Sequence, residues 1–527
     1  MSTAWRARQT GDHLLVDADR PVEQDAWMPS SLRQPTVAII GAGMSGICMA
    51  IMLREAGIAD VTVYEKAAEL GGTWRDNSYP GLFCDVPSRF YQFTFATNPN
   101  WSQLFSPGAE IQHYFRDVAE RYRLGECIRY NTEVVRAEFD GERWQVSLST
   151  GETTTVDFLI SATGILHHPR YPQIEGIDDF GGAIFHSARW DHSAELDGKR
   201  VAVVGTGSTG VQIVVGLAAR AGQLELFQRT AQWVIPFKNK HYSAVTKLAH
   251  SRIRRLDDYG YRRFRRQLGF FAKALIRPGW RRRALSNACR KNLETVTDPE
   301  LRARLTPTYE PMCKRLVISS DFYEAIQRPN VALVTEAIDH INARGIVTAD
   351  GICHEVDVIA LATGFDTHAF VRPVELIGRD GIKLNDVWRD GPHGYLTVAV
   401  PDFPNFFMLL GPHSPVGNYS LTAISEAQGA HILGWIKRWQ AGEFDTVAPT
   451  HQATEDFNES IREAMPGTVW VTGCTSWYLG KDGIPELWPW TPAEHHDRLV
   501  ATPTLSHFEL RHAAGRRLTA PTGNSGH

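Results

Sequence analysis

Two stretches of the chain carry the same order of apolar and polar positions. In PTVAIIGAGMSGICMAIMLREAGIADVTVYEK (residues 35–66) a β-branched apolar run ends in a glycine-rich turn. Apolar positions then recur at helical spacing, and a second apolar run follows. KRVAVVGTGSTGVQIVVGLAARAGQLELFQRT (residues 199–230) repeats this pattern in register. Each stretch predicts a strand–helix–strand unit, and two such units predict an α/β fold with two Rossmann-like dinucleotide-binding domains.

Elsewhere the pattern divides the chain further. Residues 1–34 are polar and proline-punctuated and read as an N-terminal extension. Between about 235 and 310 the spacing becomes helical and arginine-rich, as in SRIRRLDDYGYRRFRRQLGFFAKALIRPGWRRR. This segment reads as a solvated helical insertion whose arginines snorkel over apolar patches, with contact to an anionic surface as the alternative. Apolar runs return at NVALVTE and VDVIALATGF. The expected order is therefore a first part of one dinucleotide domain at 35–164, the second domain at 165–345 with its insertion, the remainder of the first at 346–503, and a flexible tail at 504–527. SATG (161–164) and LATGF (361–365) close strands where such a chain passes between domains.

Composition narrows the function. The 527 residues carry a net charge of -4, which argues against nucleic acid as the main partner. Seven scattered cysteines without a CxxC pair read as reduced thiols, and no apolar leader or membrane-length run is visible. A cytoplasmic protein is expected. EHHDR (494–498) lacks a zinc-binding spacing and reads as a solvated turn, so no metal is expected.

The glycine loops carry specific chemistry. In G-x-G-x-x-G, the first glycine permits a tight turn, the second lets backbone approach a pyrophosphate, and the third lets helix pack on strand. Gly41, Gly43 and Gly46 fit, as do Gly205, Gly207 and Gly210, the latter with Ser208 and Thr209 between them. At the same offset beyond each first glycine stand Glu65 and Arg229. A carboxylate suits a ribose diol, whereas an arginine suits a 2′-phosphate. The first loop therefore fits an adenine dinucleotide without that phosphate and the second fits NADP, a pairing most simply met by a flavoprotein fed by NADPH. A disulfide reductase is disfavoured, because Cys48 and Cys84 do not form a CxxxxC pair.

Three further segments bear on the flavin chemistry. FGGAIFHSARWD, just before the second loop, resembles the fingerprint of type I Baeyer–Villiger monooxygenases through Phe180, Gly182, His186, Trp190 and Asp191. GGTWRDNSYPGLFCD is similar to a second signature of that family through Gly72, Trp74, Tyr79, Pro80, Gly81 and Asp85, and CKRLVISSDFYEAIQRPNV to its Lys-Arg segment. The resemblance runs through about residues 35–430 and implies FAD and NADPH as cofactors. It also implies oxygen activation at the flavin C4a position and insertion of one oxygen atom beside a ketone carbonyl, giving an ester or lactone, with sulfide oxidation as a side activity.

The same resemblance implies residue roles. Arg315 would stabilise the anionic oxygen species, and Asp85 would hold Arg315 beside the flavin. Lys314, Arg229 and Thr230 would take the NADP 2′-phosphate, and Gly72, Thr73, Trp74, Tyr91, Val134 and Leu421 would contact FAD. His186 and Trp190 would couple domain movement to cofactor position. Arg75, Asp76 and the LFC before Asp85 depart from the family pattern, so pocket shape and substrate range do not transfer. The segment with Trp477, Trp488 and Trp490 reads as lid or aromatic core. Two alternatives stay open: an N- or S-oxidising flavin monooxygenase, and a non-catalytic redox-sensing or membrane-associated flavoprotein that binds through the arginine-rich insertion.

Overall fold

The computed structural model describes residues 33–414 and 419–512; the reading of residues 1–32 and 513–527 lies outside them. Two five-stranded parallel sheets organise the chain. In the first, Val37–Ile40 lies between Phe158–Ser161 and Val61–Tyr64, with Phe406–Met408 and Ile128–Arg129 at the edges. In the second, Arg200–Val204 lies between Gln223–Phe227 and Val358–Leu361, with Val331–Val334 and Ala183–His186 outside. Val37–Ile40 is buried throughout, which explains why it reads as a continuous apolar run rather than an alternating one.

Helices cover the sheets. Met44–Glu55 follows the first glycine loop and packs on Leu421–Gln440, closely enough that a Cβ on Gly429 would lie 2.8 Å from the Met52 sulfur. Ser208–Leu217 follows the second loop. The arginine-rich insertion is helical, with Ala244–Arg252, Arg254–Ile276, Trp280–Leu293 and Pro299–Arg304 running between the paired strands Val234–Ile235 and Val317–Ile318.

The chain crosses between the sheets twice, after Phe158–Ser161 and after Val358–Leu361, and the two crossings are bonded to each other. The Arg170 N–H donates to the Gly364 carbonyl at 2.9 Å, and the Asp366 N–H to the His168 carbonyl at 2.9 Å. The return comes later than the expected boundary at 345. Val358–Leu361 belongs to the second sheet because its parallel pairing with Arg200–Val204 fills a gap between two strands, which no local pattern reveals.

Three other expectations are corrected. Residues 508–511 of the expected tail form a strand, Phe508–Arg511, paired antiparallel to Thr446–Pro449. Cys313 and Cys474 form a disulfide across 161 residues, with Cα atoms 6.0 Å apart, so the cysteines are not all free thiols. EHHDR is part of the helix Pro492–Val500 rather than a turn, with His495 buried against Trp488. Among the described residues, no helix is long and apolar enough to cross a membrane, and no cluster of His, Cys, Asp and Glu could hold a metal.

Candidate active site

Both glycine loops are shaped for a close approach of backbone to ligand. Gly41 has φ +102°, and a Cβ on Gly46 would meet the Gly41 carbonyl oxygen at 1.9 Å. The second loop repeats this, with Gly205 at φ +114° and the same 1.9 Å approach at Gly210. Neither following helix has a side-chain cap or an acidic residue in its first turn. The first-turn N–H groups, including those of Ser208 and Thr209, are therefore open to an anion. In front of the first loop, the Cα atoms of Gly43 and Gly72 approach so closely that a Cβ on Gly72 would lie 3.1 Å from Gly43. Thr73 and Trp74 begin the short helix Thr73–Asp76 there.

The two strand ends differ sharply. Glu65 is buried and accepts the N–H groups of Ala42 and Ala67, both at 2.9 Å. It also pairs with Arg75 at 3.0 Å. Arg75, read from sequence as a departure from the family, thus neutralises the buried carboxylate, and Asp76 holds it in turn at 2.8 Å. Only the opposite charge ten residues on could have signalled this. Arg229 is exposed, and Thr230 accepts the Thr206 hydroxyl at 2.7 Å. Burial lowers the affinity of Lys314 for its proton, and the nearby Arg229 lowers it further. Among the described residues neither cation has an ion-pair partner, so two like charges converge on an open site.

The pair expected to do chemistry involves Arg315, the residue after Lys314. Arg315 donates to both oxygens of Asp85 at 2.7, 2.9 and 3.1 Å. The two residues come from segments 230 positions apart. The Asp85 carboxylate raises the Arg315 guanidinium well above its ordinary value against the opposing effect of burial, so the charge is permanent. The Arg315 side chain is still 37 % exposed, leaving donors free on its outer side. Trp74 Nε1 donates to the hydroxyl of buried Tyr91 at 3.0 Å. The Ser420 hydroxyl bonds the Phe90 carbonyl at 2.9 Å, bringing the start of Leu421–Gln440 to the same turn. Val134 is buried at the head of strand Val134–Phe139, in the core shared with Tyr64.

Tyr478 was missed from sequence. It is buried beside Arg315, and burial pushes its phenol up to about 12, with Arg315 pulling the other way. The Cys313–Cys474 disulfide ties its segment to the residue preceding Lys314. The tryptophans of that region divide: Trp488 is core, whereas Trp477 is 38 % exposed against Tyr478 at 4.2 Å between ring centroids.

The histidine-tryptophan segment lies at the domain junction. Buried His186 accepts the Ala188 N–H at Nδ1 (3.1 Å), which leaves Nε2 to donate to the carbonyl of Gly364 in the return crossing (3.0 Å). Burial lowers the affinity of this ring for a second proton, against the hydrogen bond to Gly364. Trp190 packs on Phe185 and Tyr79. The Tyr79 hydroxyl reaches Gln212 of helix Ser208–Leu217 at 3.0 Å, and a Cβ on Gly216 would lie 2.7 Å from the Pro80 backbone. Gly182 is required because a Cβ would meet the Asp357 carbonyl at 2.3 Å. Phe180 packs in the second domain's core, and Asp191 closes its own turn by accepting the Ser193 N–H at 2.8 Å.

Known proteins share this architecture. The profile of the pyridine nucleotide-disulphide oxidoreductase family matches residues 38–261. Over 488 residues the chain is 59% identical to an uncharacterized monooxygenase of Mycobacterium tuberculosis, covering 93% of this chain and 98% of that one. It is 38% identical over 470 residues to a Baeyer-Villiger monooxygenase of Streptomyces coelicolor, covering 87% and 89%. Among solved structures, the monooxygenase OTEMO in complex with FAD and NADP matches with a TM-score of 0.80 at 28% identity, covering 91% of this chain and 100% of that one. By sequence and by fold the chain belongs to the Baeyer–Villiger monooxygenase family, as an NADPH-dependent flavin monooxygenase with FAD and NADP as its cofactors.

Proposed function

We propose that the protein inserts one atom of O2 beside the carbonyl of an apolar ketone, giving an ester or lactone, with sulfide oxidation as a side activity. The observation that supports this most directly is the Arg315–Asp85 pair, held by three hydrogen bonds in a chain with two open glycine loops whose strand ends, Glu65 and Arg229, carry opposite charge. Reduced flavin supplies the activated oxygen in such chemistry. The chain's part is to hold charge and exclude water.

On this reading the first loop takes the FAD pyrophosphate, Glu65 takes its ribose, and Gly72, Thr73, Trp74, Tyr91, Val134 and Leu421 bound the ring system. The second loop takes the NADP pyrophosphate, and Arg229, Thr230 and Lys314 take its 2′-phosphate. Arg315 cannot lose its proton, so its free donors stabilise negative charge developing on oxygen without reorganisation. Asp85 is a positioning residue that keeps this long side chain in place. His186 and Trp190 hold the crossing and the Tyr79–Gly81 turn together, so that a shift of one domain is felt at the other's cofactor.

The test is turnover of FAD-loaded protein with NADPH and isotopically heavy O2, using cyclohexanone, phenylacetone and a simple tertiary amine in separate runs. An ester or lactone carrying one heavy oxygen, formed with one NADPH per O2, is expected. Amine oxide without any ester would overturn the reading in favour of an N-oxidising enzyme.

A further inference from the structure

The outer face of the arginine-rich insertion is used by none of the chemistry above. Helix Arg254–Ile276 has 23 residues and spans about 35 Å at 1.5 Å per residue. Its inner side is apolar, with Phe271 and Leu275 buried, and Asp257 pairs there with buried Arg89 at 2.7 Å. On the opposite side, steps of three and four bring Arg255, Tyr259, Arg262, Arg266, Phe270 and Lys273 into one stripe about 100° wide. Arg263 flanks it. Of this stripe's cations, none has an ion pair with a described residue, and no acidic residue interrupts it.

Large apolar groups stand exposed on this helix, at its C-terminal end and on the helix before it. Tyr259 is 65% and Trp280 58% exposed, and in the preceding helix Val245 is 77% and Leu248 53% exposed. Phe270 and Trp280 meet edge to face at 5.3 Å, and the Arg281 guanidinium lies 4.8 Å from the Trp280 ring centroid. At that end a cleft of about 600 Å³ opens, lined by Lys273, Arg277 and Arg281. Its carboxylate, Glu494, is already engaged in capping Thr491. A long helix with cations and aromatic residues on one outward face lies flat on an anionic interface, with the rings at headgroup depth and the guanidinium groups on phosphates. Nucleic acid would satisfy the charge, but the exposed valine and leucine of the preceding helix add an apolar surface that a bilayer takes up and a phosphate backbone does not.

We propose that this face docks the enzyme on membranes rich in anionic phospholipid. Flotation of the FAD-loaded, full-length protein with vesicles of phosphatidylcholine, alone or mixed with phosphatidylglycerol, tests it. Binding is expected only to the mixed vesicles and is expected to weaken with salt. Each basic residue at such a surface is worth about a fivefold factor in partitioning, so the triple variant Arg262→Gln, Arg263→Gln, Arg266→Gln should bind roughly hundredfold less. Phe270→Ser with Trp280→Ser should lose about tenfold or more at unchanged charge. Both variants should keep wild-type flavin content, Tm and turnover of a water-soluble ketone, which separates lost docking from lost folding. Equal binding to both vesicle types, or triple-variant binding like wild type, would overturn the proposal. So would capture of duplex RNA without any capture of vesicles.

Discussion

The two glycine loops share a backbone and differ in how their strand ends are completed. Each places its third glycine 1.9 Å, at the Cβ position, from the carbonyl of the first. Yet Glu65 is buried and engaged by two backbone amides and Arg75, whereas Arg229 is exposed near Lys314, and neither of these cations has an ion-pair partner among the described residues. The first site finishes its electrostatics within the protein; the second leaves two cations for a ligand to neutralise. A built-in counter-charge suits a cofactor that stays, and an unpaired one suits a cofactor that arrives with its own phosphate.

The largest effect is expected at the Arg315–Asp85 pair. Replacing Arg315→Ala should lower ester formation by about 10²–10³-fold, the usual cost of losing one preorganised donor to a developing oxyanion, while bound flavin is still reduced by NADPH. Product analysis alongside NADPH consumption checks this. Flavin reduction failing together with ester formation would show that Arg315 serves the second site rather than the reaction.

The contrast between the strand ends gives the next test. Arg229→Ala should raise KM for NADPH by about tenfold or more, and Lys314→Ala by a similar factor, with little change for NADH, because each loses a charge-assisted contact worth about 1.5–3 kcal/mol. Equal losses for both nucleotides would break the assignment. In the first site, Glu65→Gln removes one of the two carboxylates that Arg75 pairs with and weakens acceptance from the ribose. FAD affinity should fall by about tenfold, read from flavin retained on gel filtration.

The smallest effect is one of pH. Burial and Arg229 lower the proton affinity of Lys314, so the free site loses this charge at a lower pH than an ordinary lysine would. A bound phosphate favours the charged form. NADP+ affinity should therefore fall as the pH rises through the titration of Lys314, by less than in Lys314→Ala, since the neutral amine still donates a hydrogen bond. NAD+ affinity should stay flat, and Lys314→Arg should remove the slope; isothermal titration across the alkaline range measures both.

What could be read without coordinates were the features with a local period. Each strand, glycine turn and helix of the two dinucleotide units lies within about thirty residues, so spacing and glycine placement suffice. The opposite charges of Glu65 and Arg229 were equally visible, because their offset from the loop is fixed by the unit itself. Arg315 and Asp85 carried no such signal, and only the family resemblance paired them.

Other features depended on contacts between distant segments. Val358–Leu361 reads as an apolar run that either sheet could accept, and its place is decided by the gap beside Arg200–Val204. Arg75 reads as a departure until Glu65 is seen buried against it. Cys313 and Cys474 have no spacing to link them, and Tyr478 gains its position by Arg315 through that link.

The sequence by itself determined two glycine turns and the charge at the strand end that follows each, because these follow from backbone geometry over a few residues. The tertiary structure alone decided which carboxylate meets which guanidinium, which strand closes the second sheet, and which face of the insertion is left bare. Those outcomes are set by burial and by desolvation of groups brought together from as far as 230 positions apart, and neither is written in any local pattern.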